Sequence, residues 1–69
     1  MLKKFVVMVS YTNNGTNEWK GFDTLNQAFD FENFVSSESY KRDYNVADVK
    51  TFRVITDTES QTHVLIEIK

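Results

Sequence analysis

The sequence predicts an α+β fold: a two-layer ββαββ unit whose four-stranded, mostly antiparallel sheet carries one helix, about residues 24–41, on one face. Three observations predict it. Two stretches rich in β-branched and aromatic residues each fold about a polar turn, at Asn13-Asn14-Gly15 and at Asp57-Thr58-Glu59-Ser60-Gln61. Between them, Thr24-Leu25-Asn26-Gln27 has the form of a helix capping box and opens a segment with apolar residues at helical spacing. The chain has 69 residues, 41% of them hydrophobic, which suits one domain over residues 1–69 and excludes wholesale disorder.

The first strand spans Leu2 to Thr12. Two hairpin registers compete for it. A two-residue loop at Asn14-Gly15 sets Ser10 opposite Trp19, whereas a three-residue loop sets Val9 opposite Trp19 and Ser10 opposite Glu18. The second gathers Phe5, Val7, Val9, Tyr11 and Trp19 on one face and leaves Lys4, Ser10, Glu18 and Lys20 on the other, so it is preferred. Gly21 marks a bulge or a close approach of the helix.

In the helix, the Thr24 side chain caps the amide three residues on while Gln27 reaches back. Leu25, Ala28, Phe29, Phe31 and Val35 fall on one side, and Lys41 and Arg42 suit the negative end of the helix dipole. Asp43-Tyr44-Asn45 carry the chain back to a second hairpin, Val49 to Thr56 and Thr62 to Ile68. There Phe52 and Val54 are expected in the core, with Arg53 and Ile55 outward. Val64-Leu65-Ile66 is apolar on both sides, as is the first strand, so strands one and four are expected at the sheet centre. The outer sheet face would then carry Val6, Met8, Phe22, Leu65, Ile55 and Arg53, more apolar surface than a solvated face needs.

Composition narrows the function classes. There is no cysteine, hence no disulfide and no thiolate metal site, and a single histidine makes a zinc site improbable on ligand supply. At about 0.05–0.15 kcal/mol per residue the fold is worth roughly 3–10 kcal/mol. A formal charge of −2 argues against broad contact with nucleic-acid backbone or anionic membrane. Lys3-Lys4 before Phe5-Val6-Val7-Met8-Val9 resembles a secretion signal only superficially, because five apolar residues are too few and no cleavage site follows. No run approaches the roughly 20 apolar residues of a membrane helix. A cytoplasmic location is expected.

No catalytic constellation emerges, and no cofactor is expected. His63, the one histidine, lies in a strand; Gly15 and Gly21 are isolated and make no phosphate loop. Asp30 and Glu32, two apart on a helix, face about 160° apart and cannot act jointly. Asp57 and Glu59 belong to a turn. The expectation is a protein that is not an enzyme.

Several residues exceed what folding needs. Glu32 falls inside the apolar stripe, where it either pairs with a lysine or the Tyr11 hydroxyl at the helix–sheet seam or sits at the stripe's edge. Phe34 lies off the stripe beside Gln27, Asp30 and Glu38: either the stripe is wide, or Phe34 is an exposed aromatic anchor ringed by polar groups. Between Gly21 and Tyr40 there are four acids, Asp23, Asp30, Glu32 and Glu38, and no Lys or Arg. That acidic surface suits either plain solvation or a basic groove on a partner. Arg53, with Trp19, Tyr40 or Tyr44, could hold an anionic aromatic ligand by stacking and charge.

The function expected is that of a small non-catalytic interaction protein, a regulator or inhibitor binding another protein through the outer sheet face or through Phe34, Asp30, Glu38 and Gln27. Self-association as a homo-oligomer is expected alongside, since it would enlarge a marginal core. Size and style also fit an accessory protein of a mobile element. The alternative is an oligomeric binder of a small anionic or nucleotide-like ligand at a subunit interface, using Arg53, Trp19, Ile55, Met8 and His63. Direct nucleic-acid binding ranks third, needing Lys3, Lys4, Lys20, Lys50 and Arg53 to cluster.

Overall fold

The computed structural model describes residues 3–13, 15–57 and 59–68. Its elements run β1 (Phe5–Tyr11), β2 (Asn17–Phe22), α1 (Leu25–Val35), α2 (Glu38–Tyr44), β3 (Val46–Asp57) and β4 (Thr62–Ile68). The four strands form one antiparallel sheet in the order β2-β1-β3-β4. The fold is α+β, as the sequence predicts, with two helices where one was expected. Leu2, Asn14 and Thr58, placed by the sequence in the first strand and the two turns, lie outside the described residues.

The helix divides at Ser36-Ser37. The Ser37 hydroxyl accepts the Tyr40 amide at 3.4 Å as a new N-cap, and donates to the Phe34 carbonyl at 2.9 Å. Serine gains more as a cap than inside a helix, so the pair ends α1 and starts α2. At the other end Thr24 caps α1 as expected, accepting the Gln27 amide at 3.2 Å, while Gln27 Oε1 reaches back to the Asp23 amide at 3.3 Å. Asn45, at φ 58°, closes α2 in the left-handed conformation that asparagine tolerates.

Core packing sits between α1 and the sheet. Val7, Val9, Ala28, Val35 and Val46 are buried, ringed by Phe5, Tyr11, Phe22, Phe31, Tyr40 and Val49. A β-bulge fixes the alternation of β3: Ser10 faces Asp48 but Tyr11 faces Val46, so Ala47 is skipped and Val46, Val49 and Thr51 all lie on the helix side. The faces expected for β3 are reversed by its register with β1, which sets Thr51 and Arg53 opposite Val7 and Phe5. Phe52 and Val54 lie outward, while Arg53 and Ile55 lie on the helix side, opposite Ile66 and Val64.

Neither expected register of the first hairpin forms. Val9 faces Glu18 and Met8 faces Trp19, the Tyr11 amide closes on the Thr16 carbonyl at 3.3 Å, and Gly15 stands at φ 68°. This puts Trp19 on the outer face against Phe52, ring centroids 5.8 Å apart. Glu18 and Lys20 consequently face the helix side. They are tolerated there because β2 is an edge strand: both remain exposed, with Tyr11 donating to Glu18 at 3.2 Å and the Lys20 ammonium 5.2 Å from the Phe31 ring.

Strand order is the other correction. β4 is an edge, and β3, with β1, is central. The apolar run of β4 is thus not a sign of burial on two sides. Gly21 accommodates neither a bulge nor the helix but the stem of Lys3, whose Cγ would lie 2.6 Å from an added Cβ on its way to the Asp23 carboxylate, 3.2 Å from the ammonium. In the β3–β4 turn, Asp57 accepts the Glu59 amide at 3.0 Å. The Ser60 hydroxyl, with the Glu59 and Ser60 amides, holds the Asp57 carboxyl below its ordinary value. Among the described residues no helix is long and apolar enough to cross a membrane.

Candidate functional site

Cross-strand partners share a face, so the register settles which side chains meet. On the outer face Trp19 and Met8 pair, Val6 faces Phe52, and Val54 faces Leu65. Both helices lie on the other side of the sheet, leaving this apolar patch open; Trp19 is 50% exposed. Lys50 and Glu67 flank the patch, Lys50 lying 3.9 Å from Asp48. Of the six residues expected on this face, Val6, Met8 and Leu65 are there. Phe22, Ile55 and Arg53 are on the helix side, Phe22 against Phe31 with centroids 5.4 Å apart. Trp19, Phe52 and Val54 take their places. The alternating pattern of β3 carried part of that signal, but both of its faces hold apolar residues, and the register with β1 decides between them.

The ligand constellation of Arg53, Trp19, Ile55, Met8 and His63 is not assembled. Arg53 and Ile55 are on the helix side, and Trp19, Met8 and His63 are on the outer side. Tyr40 and Tyr44 do not join Arg53 either. Arg53 lies opposite Phe5, whereas Tyr40 reaches Tyr11 at the far end of β1.

Arg53 instead shares a cleft with Lys4, which the sequence grouped with it only for nucleic-acid binding. The two line a cleft of about 600 Å³ with Phe5, Leu25, Val54 and Ile68. Among the described residues neither cation is in an ion pair, while Lys3, Lys50 and Arg42 all are. An apolar floor with two cations that form no ion pair among the described residues is a match for an anion with an apolar body.

On the helix surface, Gln27, Asp30 and Phe34 fall on one side of α1 and Glu38 opens α2; all are exposed. Phe34 is 61% exposed and packs its ring at a tilt against Tyr40, ring centroids 5.0 Å apart, with Tyr40 in turn 4.5 Å from Tyr44. The Gln27 amide oxygen is committed to the helix cap. Glu32 is no part of this surface. It turns beneath α1 and accepts a hydrogen bond from the buried Thr51 hydroxyl, in place of the lysine or Tyr11 partner expected. Tyr11 is pushed above its ordinary pKa by removal from water, and further by the Glu18 carboxylate and Tyr40.

His63 stands on the outer face of the second hairpin, its Nδ1 3.2 Å from the Thr56 hydroxyl. Among the described residues no group of three His, Asp or Glu side chains could hold a metal ion. Comparison with protein-family models, curated proteins and solved structures found no match to the chain.

Proposed function

We propose that this chain is a non-catalytic interaction protein, a regulator or inhibitor that docks another protein on its outer sheet face. One observation carries the reading: Trp19, half exposed, lies against Phe52 and beside Met8 on a face that neither helix covers. Tryptophan in a wide apolar setting with a charged rim is the composition of an interaction anchor. With Lys50 and Glu67 at its margin, the patch suits a partner presenting an apolar protrusion between charges of both signs.

The test compares host-lysate proteins retained by the native chain, by Trp19→Lys and by Phe34→Ala, each shown folded by circular dichroism. A protein whose retention falls at least about tenfold with Trp19→Lys (roughly 1.4 kcal/mol) and persists with Phe34→Ala supports the reading. Undiminished retention by Trp19→Lys overturns it. Loss with Phe34→Ala, and with Asp30→Asn combined with Glu38→Gln, would move the docking site to the acidic helix surface.

The cleft favours a second reading, binding of a small anionic ligand by Lys4 and Arg53. An anilinonaphthalene sulfonate dye is the probe. Arg53→Ala is expected to raise its Kd about tenfold, and Trp19→Ala to leave it unchanged. A Kd indifferent to Arg53 would remove the ligand reading.

A further inference from the structure

We infer that two copies of this chain pair antiparallel through β4, centred on Leu65, so that one sheet runs through both copies with all four helices on the same side. The inference differs from outer-face docking in using the strand's backbone rim: Leu65 borders both surfaces, whereas Trp19 belongs to the patch and not to the rim.

The two edges of the sheet are unlike. On β2, Glu18 and Lys20 face the helix side and Gly21 interrupts the side-chain row, the kind of charged and broken edge that discourages pairing. β4 is less guarded, with Glu67 its one Asp, Glu, Lys or Arg among the residues described. Thr62-His63-Val64-Leu65-Ile66-Glu67-Ile68 contains no proline, no lysine and no bulge in its pairing with β3. Val64, Leu65 and Ile66 are 51%, 43% and 48% exposed, and they populate both faces. A regular apolar strand with one backbone rim facing no neighbour is a template for another strand.

The occupant follows from self-complementarity. A two-fold axis perpendicular to the sheet keeps directly opposed residues on one face, so the axis must pass at a residue and not between two. Centred on Leu65, the helix side pairs Val64 with the partner's Ile66, and the outer side pairs Leu65 with the partner's Leu65. His63 then stands opposite the partner's Glu67 at both ends. With Nδ1 beside the Thr56 hydroxyl, Nε2 is the nitrogen left to donate to that carboxylate. Moving the centre to Val64 sets His63 against the partner's Leu65 and Thr62 against the partner's Ile66. Moving it to Ile66 sets Glu67 against the partner's Leu65. Thr62 meets the partner's Ile68 at the strand ends here too, but only the Leu65 register sets Val64, Leu65 and Ile66 against apolar residues and gives His63 a carboxylate opposite.

Sedimentation equilibrium of the full chain, with hydrogen exchange of the β4 amides, tests it. The expected result is a dimer populated at about 50 μM (the range of weak but specific association), with β4 exchange slowing as concentration rises. Leu65→Lys is expected to raise the dimer Kd at least about tenfold with an unchanged circular dichroism spectrum. His63→Glu should weaken the dimer by opposing two carboxylates at both ends, and adding Glu67→Lys should restore it. A chain still monomeric at about 500 μM overturns the inference. So does a dimer indifferent to Leu65→Lys, or one lost with Trp19→Lys, which would place the contact on the outer face.

Discussion

Val7→Ala is expected to lower the free energy of unfolding by about 2–3 kcal/mol, whereas Met8→Ala, its neighbour in the same strand, should cost less than about 1 kcal/mol. Both remove apolar atoms; the side of the sheet decides the difference. Val7 is fully buried between α1 and the sheet, among Val9, Ala28 and Val35. Deleting two of its methyl groups loses their transfer energy and leaves a cavity that a helix fastened on both sides cannot collapse into. Met8 lies on the outer face beside Trp19, where solvent already reaches and fills whatever is vacated. Urea unfolding of both variants at low micromolar concentration checks the contrast. Equal costs would mean that the outer face is covered in the isolated chain, and the docking reading would lose its surface. For a fold worth roughly 3–10 kcal/mol, the Val7 loss alone consumes a large share of the stability.

That the core is so one-sided explains which features were legible in the sequence. Local signals carried well. Thr24 and Gln27 form their reciprocal cap, Ala28 and Val35 bury as the helical spacing requires, and Gly15 takes the left-handed turn position. Phe34, off the stripe on a helical wheel, is exposed. What failed depended on partners distant in the chain. Whether an apolar run such as Val64-Leu65-Ile66 is central or an edge depends on which strand lies beyond it, and nothing within the run encodes that. The faces of β3 were misread because the stretch expected as a strand, Val49 to Thr56, is apolar on both faces, Val49 and Ile55 on one and Phe52 and Val54 on the other, so its pairing with β1 decides which face meets the helix. The candidate site suffered with them. Grouping Trp19 with Arg53 rested on residue type and on no register, and the strands hold the two on opposite faces, while Phe52, expected in the core, stands beside Trp19. Ser36-Ser37 was a readable break, since a serine followed by Glu38 is an ordinary N-terminal signal, yet the apolar periodicity running up to Val35 masked it.

Glu32→Leu is expected to cost about 1–3 kcal/mol, and Thr51→Val a comparable amount, but the two together should cost far less than their sum. Thr51 is 1% exposed and its hydroxyl donates to Glu32 beneath α1. Removing the carboxylate leaves that hydroxyl in an apolar seam without an acceptor; removing the hydroxyl leaves the half-buried carboxylate without its donor. Replacing both puts two apolar groups of similar shape in contact, and the desolvation penalty disappears from both sides at once. A double-mutant cycle by urea unfolding reads the coupling directly. Additive costs would mean that the bond does not fasten the helix to the sheet. The bond also bears on the proposed surfaces, because Thr51 precedes Phe52 and Arg53 in the central strand that supports both the outer patch and β4. In the double variant, a stable fold with faster amide exchange along β3 is expected, because apolar contact holds α1 down without fixing its rotation. Partner capture at Trp19 and pairing at Leu65 should then both weaken although neither surface has been altered. Unchanged affinities would show that β3 is held in place by its two neighbouring strands alone.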